Sequence, residues 1–121
     1  MGAVARAWLP PMLHPDRRDD GALLAPLVAM VERSTPASFR EQQEALLSRP
    51  DATPVLATIT CPTLVLVGRE DPWSPLVQHE ALAAAVAGAM LAVIEHCGHM
   101  STMERPAEVT AALQAWLAAS V

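Results

Sequence analysis

Two residues of this 121-residue chain stand where paired chemistry is easiest to build. Asp71 lies in Gly68-Arg69-Glu70-Asp71-Pro72, directly after the apolar run Thr63–Val67. His99 lies in Glu95-His96-Cys97-Gly98-His99, directly after a second run, Met90–Ile94. A carboxylate that accepts the Nδ1 proton of an imidazole fixes its tautomer and stabilises the imidazolium. Nε2 is then free to take a proton from a nucleophile. Each residue also has a plainer role, since Asp before Pro commonly starts a turn and a loop histidine often packs on a neighbouring helix. The pair carries more weight because both follow a buried-strand pattern.

The elements needed to bring them together can be read from periodicity. Both apolar runs are continuous rather than alternating, as in strands covered on both faces. Between them, Ser74-Pro75 offers a cap and a first-turn proline for an Ala-rich helix from Leu76 to about Ala87, which Gly88 ends. Strand, helix, strand implies a parallel pair, and both loops then leave the same edge of the sheet. Neighbouring strands lie about 4.8 Å apart, so the two side chains come within reach. Pro106 opens a last helix with Val109, Leu113, Trp116 and Leu117 on its buried face. Residues 1–58 read as helical only. Leu24, Leu27, Val28 and Val31 share one face, and Thr35-Pro36 starts a helix carrying Phe39, Gln43, Leu46 and Leu47. The domain division predicted is a helical cap or lid segment over 1–58 and a strand–helix–strand–helix core over 59–121. Two parallel strands alone make a marginal sheet. The Thr63–Val67 strand should therefore pair with a further polypeptide or with a second copy.

Other reactive groups fit blander roles. His96, Cys97 and His99 are too compact for common ligand spacing, so no metal site is expected from them. Ser101 reads as a hydroxyl at a helix start, and Glu70 as a solvated neighbour of Asp71. Trp73, just past Asp71, either lines a substrate pocket or covers a helix end, and Met100 beside His99 is the other candidate substrate contact. Trp8, Leu9, Met12, Met30 and Phe39 suit an apolar wall or ordinary helix packing.

Residues 59–106 resemble the C-terminal segment of α/β-hydrolases. That family carries I-x-x-P-T-L-x-x-x-G followed by an aspartate and a proline. Here it stands as Ile59-Thr60-Cys61-Pro62-Thr63-Leu64-Val65-Leu66-Val67-Gly68, then Asp71 and Pro75. The second signature is Gly-His followed by an acidic residue and proline, here Gly98-His99 with Glu104 and Pro106. The 28 residues from Asp71 to His99 suit one helix and one strand. The resemblance implies a partial α/β-hydrolase fold: two parallel strands with flanking helices and a helical cap. It also implies Asp71 as triad acid and His99 as triad base, with no cofactor. The implied substrate is a carboxylic ester or lactone. The nucleophile elbow G-x-S-x-G is missing: none of the six serines sits in a Gly-flanked turn. The chain alone is thus expected to lack triad-dependent turnover. The alternative is an inactive truncated fragment or assembly module that self-associates through its open strand edge.

Composition narrows the remaining classes. The chain is 52% hydrophobic with aromatics at 3%, so its core should be aliphatic. A net charge of −5, with eight Arg and no Lys, offers no basic surface for nucleic acid. No run approaches the roughly 20 apolar residues of a membrane span. Cys61 and Cys97 are expected as small buried hydrophobes, which fits a cytoplasmic protein.

Overall fold

The structure is a computed structural model that describes residues 1–120. Before residue 64 the described chain is helical or irregular. Helix α1 spans Gly2–Trp8, and two short 3-10 turns follow at Pro10–Met12 and Pro15–Arg17. Helix α2 spans Gly21–Glu32, α3 Pro36–Ser48 and α4 Thr53–Leu56. Asp20 caps α2 by accepting the Leu23 N–H at 3.0 Å. That bond, with the Arg17 guanidinium, holds the Asp20 carboxyl below its usual range. Thr35 and Ser38 form a reciprocal capping box, with Pro36 at the first helical position, as the Thr-Pro pair predicts.

The sheet follows. Strand β1 is Leu64–Gly68 and β2 is Met90–Ile94, joined through α5, Leu76–Ala85. The strands are parallel, with Leu64 opposite Met90 and Gly68 opposite Ile94. Strand β1 begins one residue later than the apolar run suggests. Thr63 still contributes its carbonyl, which accepts the Met90 N–H at 2.9 Å. Helix α5 stops two residues earlier than expected, because Val86 is already extended before Gly88 takes φ +76°. Pro75 occupies the N-cap itself and supplies no side-chain cap. Two helices close the chain, α6 at Ser101–Glu104 and α7 at Pro106–Ala119.

Two apolar clusters form the core. Ala5, Leu9, Met12, Leu13, Leu23 and Leu27 join α1, the first turn and α2. Ile94, Cys97 and Val109 join the end of β2 to α7. Several faces predicted to be buried are open. Leu46 and Leu47 of α3 are exposed, as are Leu113 and Leu117 of α7, and Met90 and Leu91 of β2. A two-stranded sheet presents too little surface to cover helices on both sides. Cys61 is likewise exposed, because it precedes the strand in a loop, whereas Cys97 is buried.

Candidate active site

Both loops leave the carboxyl ends of adjacent parallel strands, and they are stitched together before they reach the reactive residues. The Arg69 N–H donates to the Ile94 carbonyl, and the Glu70 N–H to the Cys97 carbonyl at 3.0 Å. The Glu70 carboxylate accepts the Cys97 N–H at 2.9 Å in return. Glu70 is thus a clasp between the two loops rather than a solvated neighbour. The approach is close enough to require glycine at two points. A Cβ on Gly68 would overlap the carbonyls of Gly98 and Cys97. A Cβ on Gly98 would strike the Met12 carbonyl and lie 2.6 Å from the His14 nitrogen.

Asp71 and His99 meet. The Asp71 Oδ2 lies 2.8 Å from His99 Nδ1. A carboxylate only accepts, so Nδ1 carries the proton and Nε2 presents its lone pair. The other oxygen, Oδ1, accepts the N–H groups of Trp73 at 2.9 Å and Ser74 at 3.0 Å. Asp71 is the turn residue that its Asp-Pro context predicts, and its second oxygen remains available for the histidine. The aspartate side chain is 6% exposed and the His99 ring 38%. The acid is therefore buried behind an imidazole that faces outward.

His99 is held from the far side by the N-terminal segment. Its N–H donates to the Met12 carbonyl at 2.8 Å. Glu104, buried at 3% exposure, secures this arrangement. Its Oε1 accepts the N–H groups of Gly98 at 3.1 Å and Met100 at 3.2 Å. Its Oε2 accepts the His14 N–H at 2.9 Å. One carboxylate thereby ties the histidine loop to a segment 90 residues away in sequence. Sequence reading placed Glu104 in a motif but gave it no task, because its partners are backbone groups that only the fold brings near. Glu70 and Met12 were given other roles, and His14 none, for the same reason.

The other sequence candidates separate. Trp73 lies beside the pair, its ring centroid 6.3 Å from that of His99. It stacks edge-on against Trp8 at 4.9 Å, and Trp8 meets Phe39 at 5.9 Å. An aromatic run thus leads from α3 through α1 to His99. Trp8, Met30 and Phe39 border a cleft of about 280 Å³. Leu9 and Met12 are core residues instead. Met100 packs against that same core. Ser101 is the first residue of α6. Cys97, between His96 and His99, is buried, and burial first, then the Glu104 charge, pushes its thiol up to about 12.

The sequence matches the alpha/beta hydrolase family over residues 1–113, and the chain belongs to that family. Its two-stranded sheet and flanking helices are part of the α/β-hydrolase fold. Comparison with curated proteins finds no match. Among solved structures, a thermophilic esterase from Thermogutta terrifontis is similar, with a TM-score of 0.91 and 31% identity. That likeness covers 98% of this chain and 44% of the esterase. The enol-lactonase from Burkholderia xenovorans LB400 gives 0.88 and 27%, over 98% of this chain and 45% of its own. Est816, described as an N-acyl homoserine lactone degrading enzyme, gives 0.70 and 25%, over 94% and 45%. The chain therefore spans less than half the length of each of these structures. Among the described residues no helix is long and apolar enough to cross a membrane.

Proposed function

We propose that this chain supplies the acid and base of a Ser-His-Asp hydrolase for carboxylic esters or lactones, with Asp71 as acid and His99 as base. The serine and its oxyanion donors would come from polypeptide outside these 121 residues. The observation that carries this reading is the 2.8 Å contact between Asp71 Oδ2 and His99 Nδ1, which leaves Nε2 free for a reacting group. The similar esterase and enol-lactonase support the substrate class. Residues 1–58 serve as the cap, and the run Phe39–Trp8–Trp73 favours an uncharged acyl group beside His99. Acylation and deacylation by this route need no cofactor.

The test is complementation. The chain alone should turn over p-nitrophenyl butyrate no faster than its His99→Ala variant. Co-expressed with the part of the Thermogutta esterase that this chain does not cover, it should gain turnover. Replacing His99 by Ala in that pairing should lower kcat by about 10³-fold or more. Turnover by the pairing that survives the replacement would refute the assignment.

A second reading rests on the sheet. The outer edge of β1 has no strand partner among the described residues, so a second copy could pair there. In that case the chain is an assembly module without turnover.

A further inference from the structure

A second cluster of reactive side chains sits on the same rim, beside the acid–base pair but separate from it. His14, Glu70 and His96 each present one ligand-type atom, and the three atoms lie within 4.8 Å of one another. They come from the N-terminal segment, the loop after β1 and the loop after β2. His14 Nε2 is 4.0 Å from Glu70 Oε1. The two imidazole rings stand edge-on with centroids 5.7 Å apart. We propose that His14, Glu70 and His96 form a binding site for a divalent transition metal of the zinc type.

The donor set is that of a borderline-soft ion: two imidazoles and one carboxylate. Tetrahedral zinc with ligands at about 2.0–2.1 Å holds them about 3.4 Å apart. The gap between His14 and Glu70 thus closes with a few tenths of an ångström of movement on each side. The third ligand has room to adjust, because His96 is exposed. Its backbone, at φ +51°, is in the left-handed region that non-glycine residues rarely occupy. The Arg105 guanidinium donates to the His96 carbonyl at 2.9 Å and holds that turn in place.

The existing hydrogen bond of Glu70 leaves its second oxygen available, whereas His14 must change tautomer. Glu70 holds the Cys97 N–H through Oε2, while Oε1 is the atom facing His14. His14 Nδ1 accepts the Asp16 N–H at 3.2 Å, so without metal Nε2 carries the proton. Metal at Nε2 needs the other neutral tautomer: the Nε2 proton leaves to solvent, Nδ1 takes one up from solvent, and the Asp16 N–H bond to Nδ1 is given up. The Asp16 carboxylate is 3.9 Å from Nδ1 and highly exposed, so it can swing in to accept the Nδ1 hydrogen. That would complete the carboxylate–histidine–metal arrangement that orients many metal-bound imidazoles. A bound ion would tie together the three segments that position His99, adjoining Asp71 through Glu70.

The test is Zn²⁺ titration of the 121-residue chain by calorimetry, with Co²⁺ absorption as a second readout. One equivalent should bind, and Co²⁺ should show four-coordinate visible bands without a thiolate charge-transfer band. His96→Ala, at an exposed position, and Glu70→Gln, which keeps an oxygen for the Cys97 N–H, should each weaken binding about tenfold or more. His79→Ala, His99→Ala and Cys61→Ser should stay within about twofold of the parent. Absence of saturable binding would overturn the site. So would parent-like affinity in His96→Ala, or loss of binding in Cys61→Ser or His99→Ala instead.

Discussion

At the scale of single residues, three carboxylates around one histidine loop do different work. Asp71 holds the imidazole, Glu70 clasps the two loops and Glu104 ties the histidine loop to residue 14. Asp71 and His99 were legible in the sequence because strand ends converge on one rim whatever the rest of the chain does. Glu70 and Glu104 were not, because their tasks depend on backbone donors supplied by distant segments. The same contrast separates the cysteines, which look alike in sequence. Cys97 is fully buried with its thiol pushed up to about 12, whereas Cys61 is exposed. Raising the folded value of an acidic thiol keeps it protonated, so Cys97 stays a thiol throughout the pH range in which an ordinary cysteine ionises near 8.5. Iodoacetamide at pH 8.5 should therefore label Cys61 alone in the folded chain and both cysteines in urea. Mass spectrometry of the peptides reads the result, and equal labelling of Cys97 under native conditions would contradict the burial.

At the scale of elements, the two strands and the helix between them were readable from continuous apolar runs closed by glycine and proline. The boundaries moved by one or two residues: the Thr63 carbonyl accepts the Met90 N–H from just outside β1, and Val86 is already extended and buried before Gly88. Which helix faces are covered was less legible, because periodicity shows that a face is apolar but not what packs on it. Leu47 of α3 is 85% exposed and Leu117 of α7 is 56% exposed despite regular helical spacing. The crossing of elements at Gly98 has a measurable consequence. Gly98→Ala forces apart the Met12–His14 segment and the histidine loop and should cost about 1–3 kcal/mol of stability. Gly21→Ala, where an added Cβ meets nothing, should stay within about 0.5 kcal/mol. Urea denaturation compares the two, and equal effects would mean that the close approach is not rigid.

At the scale of the whole molecule, two small apolar clusters and a two-stranded sheet leave β1 without a partner on its outer edge among the described residues, with apolar helix faces on the surface. A sheet of this size is marginal in water and an open edge recruits another strand. Light scattering at tens of micromolar should thus show self-association of the isolated chain, reduced when an N-terminal half is present. A monodisperse monomer under both conditions would contradict that expectation. The proposed function requires Asp71 and His99 to act as an acid and a base for a nucleophile. Nitrogen-15 NMR of the His99 ring tests it most directly. Hydrogen bonding to Asp71 predicts the Nδ1-protonated neutral tautomer, with a far-downfield Nδ1 proton that disappears in Asp71→Asn. A ring protonated mainly at Nε2, or one that does not respond to that replacement, would contradict it.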